Sequence, residues 1–388
     1  MAIPLTYNFR NVAQRPVATA ATAIGIGLTV AVLLAALALA EGFRSTVKSA
    51  GSPDNVLILS NGADSEVMSW FQRGSADILS ANPHVAPGPG GHAMATFDMV
   101  ATANLPRVGQ KGVSNIRVRG IDLPTVDVRA TPVIVQGRMF VPGTDEVIVG
   151  RGIAPRFEHC AVGDEIRIQR RLLKVVGLFA TSGSAYESEI WGDRNVLMPL
   201  FHREGGFAVG LMRMKDPAAF AALKAELEHD PRLGVDVKRE DQFYAEQSQG
   251  VAMLVTVLGG FITVIMAVGA ILGAANTMFA AVSGRTREIA TLLVLGFSPA
   301  AVMASFVAES VMISLVGGAL GCLLALPING ITTSTTNFQS FSEVTFQFRV
   351  TPQLMLVALA FSVVLGVVGG FFPALRAAGQ PIARTLRG

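Results

Sequence analysis

The sequence predicts an α-helical membrane protein with four transmembrane helices and a mixed α+β extracytoplasmic domain inserted between helices 1 and 2. Three observations carry that reading: long gaps without charge, an arginine bias among the flanks of those gaps, and short strand patterns confined to the stretch between the first two. No Asp, Glu, Lys or Arg occurs between Arg15 and Glu41, Glu246 and Arg285, Glu309 and Glu343, or Arg349 and Arg376. Each gap holds the roughly 20 residues a helix needs to cross about 30 Å of hydrocarbon. Hydrophobic residues make up 51% of the chain and charged residues 15%, which a large soluble core could also explain. Four charge-free gaps, however, are hard to reconcile with helices that need a solvated face.

The first gap is too long for a signal-peptide core and lacks a small-residue cleavage signal after it, so it is expected to stay as a membrane span. Arg10, Arg15, Arg285, Arg287, Arg376, Arg384 and Arg387 flank the gaps on one side against Glu288 alone, whereas residues 42–250 mix acid and base almost evenly. By the positive-inside bias, both termini and the 283–298 connection are expected in the cytoplasm and the large insert on the other face of a bacterial inner membrane. The expected division is a cytoplasmic amphipathic segment at 1–15, a first span at 16–41, the extracytoplasmic domain at 42–250 and a second span at 251–280. A cytoplasmic helix at 281–299, a third span at 300–326, an outer loop at 327–350, a fourth span at 351–375 and a cytoplasmic tail at 376–388 follow.

Along the insert, the first helix is expected to continue through Arg44 and Lys48 and to stop before Gly51-Ser-Pro53. A strand at 56–59 is followed by a helix at 64–79 with Met68, Phe71 and Ile78 on its buried side, and the proline-glycine run at 87–91 breaks the chain. Residues 116–119, 146–149, 165–169 and 172–179 read as strands punctuated by Gly137, Gly163 and Gly177, which implies a small β-rich subdomain over 115–200. Phe220, Leu223 and Leu227 recur at helical spacing, 235–237 is a further strand, and a helix from Glu240 is expected to run straight into the second span. The insert would then stand on two stiff stalks. Gly25 and Gly27 thin the first span, while Gly269 with Gly273 and Gly317 with Gly321 make small faces four residues apart, suited to helix packing within the chain or between subunits.

The chemistry of an enzyme is missing. There is no G-x-x-x-x-G-K-[ST], H-E-x-x-H or C-x-x-C pattern, and the five histidines are scattered, so neither a catalytic residue nor a metal ligand is expected. Cys160 and Cys322 fall at different depths and cannot pair. No basic stripe with interleaved aromatics supports nucleic-acid binding. Glu309 is the acid of the third apolar segment, about 15 Å along a helix counted from Pro299. It could serve as an ion ligand, but the favoured reading is an intramembrane polar contact with a basic residue of a neighbouring helix or loop. The most informative segment is 283–299. Arg285, Arg287 and Glu288 are polar, Ile289, Leu292, Leu293 and Leu295 are apolar, Gly296 can end the helix, and Ser298 can cap the next. Such a helix on the membrane surface is shaped to dock in a groove of a partner.

Ala275-Asn-Thr-Met, Gly284-Arg-Thr-Arg-Glu-Ile-Ala-Thr-Leu and Leu295-Gly-Phe-Ser resemble the carboxy-terminal region of the FtsX/MacB-type permeases of ABC transporters, and Pro373-Ala-Leu-Arg-Ala-Ala and Pro381-Ile-Ala-Arg-Thr-Leu-Arg resemble its terminal signature. Val118-Arg-Gly-Ile-Asp, Gly137-Arg-Met-Phe, Glu146-Val-Ile-Val-Gly, Val162-Gly-Asp-Glu-Ile-Arg-Ile and Lys174-Val-Val-Gly-Leu-Phe are similar to the family's periplasmic core pattern. The resemblance implies a permease, homodimeric or paired with a paralogue, on a dimer of cytoplasmic ATPase subunits. ATP and Mg would bind in that partner and no cofactor in this chain. Arg285, Arg287, Glu288, Ile289, Leu292, Leu293, Gly296 and Phe297 would form the coupling helix. Motion would pass along the stalks to power efflux or release of a substrate on the outer side. The absence of a fused ATPase points to the DevC-like branch, with a periplasmic adaptor and an outer-membrane channel, or to the LolC/LolE-like lipoprotein-releasing branch. An FtsX-like regulator of a cell-wall hydrolase and an ion-coupled transporter using Glu309 are the readings from other classes.

Overall fold

The computed structural model describes residues 7, 10–11, 14–88, 91–123, 128–129, 132–337 and 341–379. Most of the amphipathic segment expected at 1–15, residues 89 and 90 of the proline-glycine run, and the tail from 380 with Arg384 and Arg387 lie outside the described residues. The chain divides into two compact units. One comprises Met1–Glu41, Met253–Ile331 and Phe348–Gly388, and the other Gly42–Ala252 with Thr332–Gln347.

The first helix, α1 (Pro16–Lys48), starts on proline, whose fixed φ and missing N–H suit a first helical position. In the second unit it is followed by β1 (Asn55–Ser60), β2 (Phe71–Gln72), α2 (Arg73–Ser80), β3 (Ala95–Pro106), β4 (Val113–Ile121), β5 (Val133–Gly137), β6 (Glu146–Gly150), β7 (Glu165–Ile168) and β8 (Arg171–Ala180). Then come β9 (Glu189–Asp193), α3 (Arg194–Leu200), β10 (Gly206–Phe207), β11 (Val209–Arg213), α4 (Phe220–Glu228) and β12 (Val235–Arg239). One sheet runs β12-β1-β11-β3-β4-β9-β6-β8-β5, with β7 paired to β8. Pairs β4·β9 and β6·β8 are parallel and the others antiparallel.

This sheet corrects the subdomain expected over 115–200. The antiparallel ladder from Met99↔Gly120 to Pro106↔Val113 ties β4 to β3, and β3 pairs in turn with β11, so those strands share a sheet with β1 and β12. The helix expected at 64–79 is also corrected: it is confined to Arg73–Ser80. Phe71 pairs instead with Phe207 across β2·β10 and packs edge-on against Phe97, while Met68 is exposed.

The membrane unit contains the span of α1 and, from Met253 onward, α5 (Glu240–Gly284), together with α6 (Thr286–Val294), α7 (Pro299–Ala325) and α8 (Pro352–Ala378). Among the described residues, four helices are long and apolar enough to cross a membrane. The α5 helix is unbroken over 45 residues. Ser298 caps α7 by accepting from the Ala301 N–H, and Thr351 caps α8 by accepting from the Leu354 N–H, each followed by proline at the first helical position.

The segment 327–350, expected as a loop, is corrected to a hairpin of β13 (Thr332–Asn337) and β14 (Ser342–Gln347), which groups with the second unit. Its Thr and Ser content suits a pleated strand as well as a loop. Val344 and Phe346 are buried, Phe346 packs edge-on against Phe43 at 5.3 Å, and Glu343 bridges Arg107 at 2.8 Å and Arg156 at 3.5 Å.

Candidate coupling surface

Where α5 ends, Arg285 leaves helical geometry (φ −119°, ψ 20°) and α6 begins one residue later. Glycine then stops α6: Gly296 sits at φ +91°, a conformation that other residues adopt only with strain, and the Gly296 and Phe297 N–H groups donate to the carbonyls of Leu293 and Leu292. Ile289 is 1% exposed and packs with Met278, Val282, Val302 and Phe306, with Leu293 partly buried against the same cluster. The apolar side of α6 is therefore seated in its own membrane unit.

The outward side carries Arg287, Thr291, Val294 at 61% exposure and Leu295 at 67%, positions that recur at helical spacing. Glu288 is exposed and accepts from the Tyr7 hydroxyl at 3.1 Å. Burial first, and then the adjacent carboxylate, push the Tyr7 phenol above its ordinary pKa. Leu292 and Thr291 line a groove of about 420 Å³ with Tyr7, Arg10, Asn11 and Gln14. Phe297 is half-buried.

Two of the expected docking residues need correction. Arg285 is buried and donates to Glu309 at 3.1 Å and to the Asn11 carbonyl at 3.3 Å, and Ile289 belongs to the unit's own core. Glu309 thus meets a guanidinium from the very segment read as a partner's docking site. Leaving either charge alone in this apolar setting is costly, so the pair fixes the α5–α6 junction to α7.

The glycine pairs differ as well. A Cβ on Gly317 would fall 2.7 Å from the Ala23 carbonyl, and one on Gly321 2.5 Å from the Gly27 carbonyl, so this face is spent on α1 inside the chain. Gly269 and Gly273 face open space. A further small-residue seam, unnoticed in the sequence, joins α7 to α8: Ser310 Oγ donates to the Gly366 carbonyl at 2.8 Å, and a Cβ on Gly370 would lie 2.6 Å from Ser310 Cβ. Small residues allow such close backbone approach where apolar burial gives no drive for helices to associate.

Residues 19–230, more than half of the chain, match the family model described as MacB-like periplasmic core domain, and residues 260–382 match FtsX-like permease C-terminal. The chain belongs to the FtsX/MacB-type family of ABC-transporter permeases. It is 26% identical over 310 residues to macrolide export ATP-binding/permease protein MacB 1 of Aeromonas hydrophila, covering 74% of this chain and 46% of that protein. It is 25% identical over 248 residues to an uncharacterised ABC transporter permease of Methanocaldococcus jannaschii, covering 62% of each. The permease therefore spans about half to two-thirds of the length of these relatives. Among solved structures, the periplasmic region of MacB from Actinobacillus actinomycetemcomitans aligns at TM-score 0.38 and 13% identity, covering 52% of this chain and 94% of that one. The extracellular domain of the transporter YknZ from Gram-positive bacteria aligns at TM-score 0.36 and 14% identity, covering 47% and 99%.

The second unit of the permease holds a cluster of buried charge that sequence reasoning missed. Arg117 and Arg119 sit two residues apart on β4, on one face of the sheet. Arg119 is fully buried and reaches Glu189 at 2.7 Å, Glu66 at 2.9 Å and Asp98 at 3.3 Å, while Arg117 reaches Glu66 at 3.0 Å and Glu189 at 3.1 Å. Burial alone would raise the Glu66 carboxyl, but Arg119 and then Arg117 outweigh it and hold the group at about 2. Tyr244 donates to Glu66 at 3.3 Å and lies 2.9 Å from the Tyr186 hydroxyl. Glu240, the first residue of α5, accepts from the Ser52 N–H at 3.0 Å and the Asn55 amide at 2.9 Å. Read as a strand with one wet face, Ile116-Arg-Val-Arg places both arginines in water. What brings the cluster together is the parallel register Arg117↔Glu189, which only the fold reveals.

Proposed function

We propose that this chain is the permease subunit of an ATP-driven ABC transporter, with hydrolysis, ATP and Mg residing in a separate cytoplasmic ATPase dimer that docks on the outward side of α6. The observation that supports this reading is the exposed stripe of Arg287, Thr291, Val294 and Leu295 on a short helix whose opposite side is anchored by Ile289. An anchored helix with an apolar centre and a basic rim has the composition of an interface hot spot. The arginine bias supports a cytoplasmic position for this helix and both termini in a bacterial inner-membrane protein. A second copy or a paralogue completes the permease pair, and closure of the ATPase travels along α1 and the unbroken α5 to drive work on a substrate at the outer side.

The names of the MacB relatives describe macrolide export. At 26% identity we carry over the efflux class, with a periplasmic adaptor and an outer-membrane channel as outer partners, and leave the cargo open. Lipoprotein release and regulation of a cell-wall hydrolase share the same coupling step. The test is the complex co-expressed with its ATPase. Leu295→Asp should preserve insertion yet reduce ATPase retention on purification by about tenfold or more, the loss of roughly 1.4 kcal/mol or more expected of a central contact. Wild-type retention by a stably inserted variant would remove α6 from the interface.

A further inference from the structure

A cavity of about 240 Å³ lies in the membrane unit between the start of α1, the last turns of α5 and the first half of α7, lined by Asn11, Arg15, Asn276, Thr277 and Glu309 among others. Its polar groups are not equally occupied. Glu309 is bridged by Arg285, and Thr277 Oγ1 donates to the Gly273 carbonyl while accepting from Thr22. Arg15 attracts Glu309 from beyond salt-bridge range, but its guanidinium makes no hydrogen bond or salt bridge among the described residues. The Asn276 amide likewise makes no hydrogen bond there, and the buried Asn11 Nδ2, beside the Tyr7 hydroxyl, makes no full hydrogen bond among them. With the Arg285–Glu309 pair neutral overall, the cavity keeps one positive charge and unused N–H donors.

The surroundings say what sort of anion suits these donors. Asn276 is exposed at the polar end of a stripe on α5 whose next members, Leu272, Val268 and Ile265, are 65%, 54% and 58% exposed. Spacings of three and four residues put them on one helix face. Val17 and Ile24 of α1 are exposed as well. Donors and a cation therefore adjoin an uncovered apolar track in a protein that spans a membrane, which is the polarity of a phospholipid. Basic pockets between membrane helices take phosphate headgroups in this way. Gly284 makes room for the arrangement, because a Cβ there would lie 2.6 Å from Arg15 Nη2.

We propose that this cavity binds the singly charged phosphate of an anionic phospholipid through Arg15 and the Asn276 and Asn11 amides, with an acyl chain along the Leu272–Val268–Ile265 stripe. The experiment is native mass spectrometry of the full chain in detergent, titrated with phosphatidylglycerol or phosphatidylcholine in the presence or absence of inorganic phosphate. The wild-type protein should retain one phosphatidylglycerol in preference to phosphatidylcholine, and Arg15→Gln should weaken that retention about fivefold. Gly284→Ala, which keeps every charge but displaces the guanidinium, should weaken it too, whereas Arg10→Gln at the neighbouring groove should not. Equal retention by wild type, Arg15→Gln and Gly284→Ala would overturn the site. Displacement of the lipid by millimolar inorganic phosphate would assign the donors to a soluble phosphate and overturn the lipid.

Discussion

The two units of this permease solve opposite problems with opposite residues. In the membrane unit, helices surrounded by apolar solvent gain little from burying more apolar surface, so contact comes from residues that are barely there: Gly317 and Gly321 against the α1 backbone, and Ser310, Gly366 and Gly370 between α7 and α8. Charge enters its described core as the single pair Arg285–Glu309. The other unit, with an ordinary apolar core, places Arg117, Arg119 and Arg129 with Glu66, Asp98 and Glu189 at its centre. One unit depends on shape and the other on mutual pairing of buried charge, which separates the mutations each will tolerate.

The largest expected effect is at Arg119. Arg119→Met leaves Glu66, Glu189 and Asp98 buried with one cation fewer, and removing one partner of a buried charge network costs about 3–5 kcal/mol. Thermal melts of the purified permease should show the strand-rich transition lowered sharply or lost. An unchanged transition would mean that the cluster is not what holds β4 to β9.

Acid probes the same cluster more gently. Because Glu66 is held at about 2, below its value in the unfolded chain, its contribution is complete above the unfolded carboxylate range and declines as pH falls from about 4.5 towards 2. The strand-rich unit should therefore melt at progressively lower temperature across that window. Flat stability between pH 4.5 and 2 would contradict the assignment.

The smallest stability effects separate the two glycine faces. Gly321→Ala forces a Cβ within 2.5 Å of the Gly27 carbonyl and 2.8 Å of Val30 Cβ, an overpacking cost of about 1–3 kcal/mol, whereas Gly273→Ala meets open space and should leave the monomer unchanged. Melting both variants side by side checks this, and equal losses would erase the distinction.

The same contrast marks what the sequence could reveal. Charge-free gaps and end caps are local, so the four spans, the Ser298 cap and the Gly296 stop were legible in it. Strands with an apolar repeat, such as β1, β6 and β8, were legible for the same reason. β3 was not, because Asp98, Asn104 and Pro106 interrupt its pattern, and the hairpin of β13 and β14 was hidden by Thr and Ser that serve strand and loop alike. The proposed coupling surface was half legible. Amphipathicity located α6, but polarity alone could not say that Ile289 packs inward while Leu295 is exposed, since both are apolar and which one is buried depends on α7. Arg285 was misassigned because its partner, Glu309, lies 24 residues further along the chain.

The proposed docking depends most on which side of α6 would meet an ATPase. Single cysteines at Leu295 and Ile289 can be labelled with a maleimide in membranes that contain the permease alone or with its ATPase. Background should be low, since Cys160 and Cys322 are buried, and burial first and Asp164 next push the Cys160 thiol up to about 12. The prediction is that position 295 labels readily in the permease alone and is protected in the complex, while 289 stays unlabelled in both. Equal labelling at 295 with and without the ATPase would contradict it.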